Sequence, residues 1–141
     1  MSGIRQTLYQ TLVSDPGLLA LGLGEGRVLT QHSKDSQPTD GAFIVIRMLE
    51  RNAPLFKVLP YGNQIVQFWV HDEPSDFERI DQIIDRLKVL LPTLENTKAF
   101  GTSDRWIQDV TWQGESQDFP DDDARTVTRY CQWQFTGSAA T

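Results

Sequence analysis

A chain of 141 residues supports one hydrophobic core, and folding removes about two-thirds of its extended surface from water. With 39% hydrophobic, 23% charged and 10% aromatic residues it has globular composition, which excludes collagen, coiled coil and wholesale disorder. Thirteen Lys plus Arg against nineteen Asp plus Glu leave a net charge of −6, which disfavours stable binding to DNA or to anionic lipid.

Ile4, Leu8 and Leu12 recur every four residues between polar neighbours, which predicts a first helix after Ser2 with one buried stripe. Ser14-Asp15-Pro16-Gly17 ends it, and Asp15 with Pro16 starts a second short turn through Leu21. Gly22, Gly24 and Gly26 lead to a brief strand, Arg27-Val28-Leu29, and the polar run from Thr30 to Gly41 reads as an exposed, flexible loop. Ala42 to Leu49 is β-branched and almost continuously apolar, as in a central strand covered on both faces. A short strand at Leu55–Leu59, a turn at Pro60-Tyr61-Gly62-Asn63 and a returning arm at Ile65–Val70 predict a hairpin. In that arm Val66, Phe68 and Val70 point one way and Ile65 and Trp69 the other.

Ser75-x-x-Glu78 is a capping box ahead of Phe77, Ile80, Ile84, Leu87 and Leu91, which step along one face of a helix closed by Pro92. Asp81, Asp85 and Arg86 fall on its opposite, solvated side. Trp106–Trp112 and Val127–Phe135 alternate with period two around a Gly-, Pro- and Asp-rich loop, predicting a second hairpin. Val127, Cys131, Trp133 and Phe135 are expected in the core, with Thr126, Thr128, Gln132 and Gln134 facing water.

The order helix, strand, hairpin, helix, hairpin gives an α+β fold, with two main helices against a mainly antiparallel sheet of four to five strands. One domain spans residues 1–141, with a flexible loop at about 30–41, an acidic loop at about 114–124 and a disordered tail at about 137–141.

Chemical motifs are sparse. The glycine run lacks the Lys-Ser or Lys-Thr and the following helix of a phosphate loop, and reads as a flexible turn. Asp118 to Asp123 lacks the central glycine and terminal glutamate of an EF-hand, so it reads as a solvated acidic loop. His32 and His71 are the only histidines, and His71-Asp72-Glu73 is better explained by carboxylates gathering near a helix start. Cys131 cannot form an internal disulfide or a cysteine zinc site, and its phase with the core marks a buried small hydrophobe. No serine sits in a Gly-x-Ser-x-Gly elbow. Met1 to Arg5 lacks a secretory signal's apolar region, and no apolar run approaches the roughly 20 residues of a membrane span. No catalytic residue, cofactor or metal is therefore assigned. What remains is an apolar surplus: two helices shield one face of the sheet, while Ile65 and Trp69 project from the other, which predicts self-association, the alternative being helices split between the faces or Trp69 packed under the Thr30–Gly41 loop.

Several segments carry a family likeness: the first helix with Ser14-Asp15-Pro16-Gly17-Leu18-Leu19-Ala20-Leu21, the strand Phe43-Ile44-Val45-Ile46-Arg47, and Val66-Gln67-Phe68-Trp69-Val70-His71-Asp72. With the helix from Asp76 to Leu91 and the closing aromatic hairpin, the chain resembles the tail-terminator (tail-completion) proteins of long-tailed bacteriophages over most of its length. The resemblance implies an α+β virion subunit in a ring, commonly a hexamer, that caps the head-proximal end of the tail tube and ends its polymerisation. Its implied partners are further copies of itself, the tail tube protein and the head-completion or connector protein, with double-stranded DNA only passing through the lumen and no membrane involved. It places the protein in the virion tail, and in the host cytoplasm during assembly. On this reading Ile65, Trp69, Leu55, Phe56 and Phe119 are candidates for the subunit or tube interface, and Asp118, Asp121, Asp122 and Asp123 for a lumen or docking loop. The alternatives are a head-completion or tail-tube-like ring protein and, in another class, a small soluble enzyme or ligand-binding domain using His71, Asp72 and the acidic loop.

Overall fold

The computed structural model describes residues 4–30, 41–51, 61–73, 77–98, 105–121 and 126–139. In α1 (Ile4–Ser14) the apolar positions four apart, Leu8 and Leu12, are fully buried, while Gln10 and Ser14 face water. Asp15 then takes an extended backbone (φ −76°, ψ 121°) and its carboxylate accepts the Leu18 N–H at 2.9 Å, while Pro16 opens α2 (Pro16–Ala20). In α3 (Phe77–Leu90) the buried stripe is Ile80, Ile83, Ile84 and Leu87. Phe77, expected on that stripe, stands 45% exposed at the helix start, and Ile83 fills the face instead. The proposed cap Ser75 lies outside the described residues. Pro92 cannot extend an α-helix, and the chain tightens into a 3-10 turn (Leu91–Leu94) that keeps both leucines buried.

Among the described residues there are seven strands in chain order: β1 (Val28–Leu29), β2 (Phe43–Arg51), β3 (Tyr61–Asp72), β4 (Thr97–Lys98), β5 (Arg105–Glu115), β6 (Phe119–Asp121) and β7 (Thr126–Ala139). Their order in space is β1-β2-β3-β7-β5-β4, with β6 also beside β7. Only β1–β2 is parallel; the other pairings are antiparallel. The fold is α+β, with three helices against one face of a mixed, mainly antiparallel sheet. Four strands of 9, 12, 11 and 14 residues form its body, and the remaining three add two or three residues each.

Three local expectations change. The turn at Pro60–Asn63 is absent from 61–63, because Tyr61, Gly62 and Asn63 already belong to β3 opposite Ser138, Gly137 and Thr136 of β7. Leu55–Leu59 and Pro60 lie outside the described residues, as do 31–40 of the expected flexible loop. The second hairpin forms as β5 against β7, but β5 runs to Glu115 and the acidic segment contributes β6 opposite Thr126–Thr128. The tail expected to be disordered from 137 is strand through Ala139, because Gly137 and Ser138 are hydrogen-bonded into a sheet with neighbours on both sides.

Cross-strand partners share a face, so the register sorts the side chains. Ile44, Ile46, Val66, Phe68, Val70, Val110, Cys131, Trp133 and Phe135 form one core with Leu8, Leu12, Leu18 and the stripe of α3. The strand expected to be covered on both faces is so only in its first half: Ala42 to Ile46 are buried, whereas Arg47 is exposed.

Candidate functional site: the second face of the sheet

The register puts Phe43, Val45 and Arg47 of β2, Ile65, Gln67, Trp69 and His71 of β3, and Thr128, Tyr130, Gln132 and Gln134 of β7 on the face away from the helices. Its composition changes along the strands. At one end the His71 ring lies flat on Phe43, centroids 4.5 Å apart, and its Nδ1 is 3.0 Å from Thr126 Oγ1 and 2.7 Å from Thr128 Oγ1. His71 and Thr128 are buried, which corrects the expectation that Thr126 and Thr128 face water: their hydroxyls both partner Nδ1 of a buried imidazole.

Toward the middle, Trp69 packs on Tyr130 (centroids 4.7 Å apart) and the Arg47 guanidinium sits 5.9 Å from its ring centre. Trp69 and Ile65 are half-buried. From Trp69 a directed row of hydrogen bonds crosses three strands. Trp69 Nε1 donates to Gln67 Oε1 (2.9 Å), Gln67 to Gln132 (2.9 Å), Gln132 to Gln113 (2.8 Å) and Gln113 to Gln134 (2.9 Å), each amide nitrogen reaching the next oxygen. Among the described side chains that β2, β3, β7 and β5 place on this face, the charges are Arg47 on β2 and Asp109 on β5.

The helix side holds the ion pairs. Asp15 receives two bonds from Arg86, at 2.8 and 2.6 Å, and Asp72 receives two from Arg79, at 2.5 and 2.6 Å. Arg129 reaches Asp118 at 2.7 Å, Glu115 at 3.6 Å and Asp81. The hydrogen bonds from Arg86, helped by the Leu18 N–H, hold the Asp15 carboxyl below its usual range against the opposing effect of burial. Burial works against the Arg129 charge, and the bonds to Asp81 and Asp118 overcome it, leaving the guanidinium above its ordinary value. Asp81 and Arg86, expected on a merely solvated helix face, thus tie α3 to β7 and to the start of α2.

His71 and Asp72, paired in the enzyme alternative, are adjacent in one strand and therefore point to opposite faces: His71 to the threonines, Asp72 to Arg79. Cys131 is fully buried in the core, as expected, and burial pushes its thiol up to about 12. Among the described residues no three His, Cys, Asp or Glu side chains gather as a metal site needs, and no helix is long and apolar enough to cross a membrane.

Of the candidate interface residues, Ile65 and Trp69 are brought to the same face. Phe119 lies in β6, and Leu55 and Phe56 fall outside the described residues. Of the acidic candidates, Asp118 is tied to Arg129, Asp121 ends β6, and Asp122 and Asp123 fall outside. Phe68 belongs wholly to the core beneath the helices, so its substitution reports on folding and not on a surface.

Sequence reasoning missed the glutamine row, Tyr130 and Arg47. The available signal was Gln132-x-Gln134 in one arm of a hairpin and Gln113 in the other, which becomes a row only when the bulge between Trp112 and Gly114 fixes the register. No known protein-family model matches this chain, and no curated protein matches it in sequence.

Proposed function

We propose that the chain is a structural subunit of a bacteriophage tail, one that closes into a ring on the head-proximal end of the tail tube, stops its polymerisation and presents the surface to which the head joins. The observation that carries this reading is the two-sided sheet: the described helices all pack on one face, and the other offers aromatic and amide side chains with few charges. That composition, rich in Trp, Tyr and uncharged polar groups and poor in Lys and Glu, is the composition of interface cores. Closing a ring requires contacts between unlike patches of successive copies. The element order expected from the terminator resemblance supports the assignment, and the net charge of −6 suits a collar through which DNA passes without adhering. No reaction is assigned to the chain.

The test is assembly. Light scattering after size exclusion, alone and with purified tail tube protein, should give a discrete oligomer, and negative-stain images should show it at one end of each tube. Ile65→Arg and Trp69→Ala should reduce assembly with secondary structure retained. A persistent monomer, even with tube protein present, overturns the proposal.

A further inference from the structure

We infer that the exposed end of the row, Gln132–Gln113–Gln134, with the buried Gln67 anchoring it, is where a second copy of this chain makes contact; this rests on the ring reading and adds to it a surface and a chemistry. An amide has two N–H groups and two lone pairs. Within the row Gln132 and Gln113 each spend one N–H and one lone pair on their neighbours, while Gln134 accepts from Gln113 through Oε1 and its Nε2 donors meet no acceptor among the described residues. The row thus holds each amide in fixed orientation against one on the neighbouring strand, and its Gln132–Gln113–Gln134 bonds lie at the exposed surface.

Charge selects the occupant. Each copy carries −6, and Asp15, Asp72, Asp81, Glu115 and Asp118 all make their ion pairs on the helix side. Among the described side chains of β2, β3, β7 and β5 the second face carries the charges Arg47 and Asp109, of opposite sign and on β2 and β5, with Gln67, Gln132 and Gln134 on the strands between. An acidic neighbour can lay a different patch of its own surface there without meeting a line of carboxylates, as a ring contact between unlike patches requires.

Gln134→Glu tests this. The carboxylate still accepts from Gln113, so the internal bond survives, while the outward donors are lost and a negative charge is added. Gln82→Glu adds the same charge on the exposed side of α3 and serves as control. By mass photometry across a dilution series, Gln134→Glu should raise the half-assembly concentration at least tenfold with an unchanged melting temperature, and Gln82→Glu should assemble as wild type. Wild-type assembly by Gln134→Glu, or an equal loss in Gln82→Glu, overturns the inference and leaves the ring reading standing. A wild-type chain that is monomeric alone but binds tube protein through Gln134 assigns the row to a foreign partner and also overturns it. A wild-type chain monomeric under every condition sinks the ring reading itself.

Discussion

The Asp15–Arg86 pair makes a sharp test of how the first helices are held to the rest of the fold. Asp15 does two jobs with one carboxylate: it caps α2 through the Leu18 N–H and takes two bonds from Arg86 of α3. Its side chain is 3% exposed, whereas that of Arg86 is 35% exposed. Losing the cap costs about 1 kcal/mol. The ionic part, screened by the water at Arg86, adds about 1 kcal/mol. Asp15→Ala should therefore destabilise by about 2 kcal/mol and Asp15→Asn, which can still cap, by about 1 kcal/mol. At this chain length those figures correspond to melting-temperature losses of about 7 °C and about 3 °C by circular dichroism at pH 7. Arg86→Leu should lower the melting temperature more than Asp15→Asn, because it strands a sequestered anion while Asp15→Asn leaves a cation that water can reach. If Arg86→Leu proves no worse than Asp15→Asn, the carboxylate is not sequestered and the reasoning fails.

Other outcomes follow from the same geometry. Because Asp15 ionises below its usual range in the folded state, its contribution is complete above the unfolded pKa of about 3.9 and disappears as pH falls through the folded value. Acid titration of stability should show wild type losing more than Asp15→Asn below about pH 4. A Cβ at Gly17 would press onto Arg86 Nε and lie 2.8 Å from its Cδ, so Gly17→Ala should displace the guanidinium. Helix propensity gained there, about 0.8 kcal/mol, should nearly offset the lost pair in wild type and emerge as net stabilisation in Asp15→Asn, read from chemical denaturation. Leu87→Ala, at a fully buried site under the sheet, should cost about 3 kcal/mol by the same measurement. Native Cys131 should resist thiol reagents at pH 8 and react only on unfolding, since a thiol pushed up to about 12 is almost wholly protonated there.

The sequence made legible what depends on local periodicity: the buried positions Leu8, Leu12, Ile80, Ile84 and Leu87, the Asp15–Pro16 start, and the core phase of Val127, Cys131, Trp133 and Phe135. It hid what depends on pairing partners. Phe43, His71, Thr126 and Thr128 lie far apart in the chain and become one buried cluster only when β2, β3 and β7 are laid side by side. The same holds for Asp81 and Arg86, whose helical spacing from the apolar stripe marks them as solvated although β7 and α2 supply their counterions. Tyr61–Asn63 misled for a related reason: Gly and Asn are turn formers alone, but a strand long enough to bind them on a neighbour overrides that preference.

Strand β7 lies between β3 and β5 and also receives β6, yet it follows all three in the chain. During translation the two halves of the β-layer must therefore wait, each with an open edge, until residues 126–139 leave the ribosome and close the gap. Nascent chains are exposed to misassociation throughout that interval, because β3 and β5 each present unpaired backbone on the side that the keystone later fills.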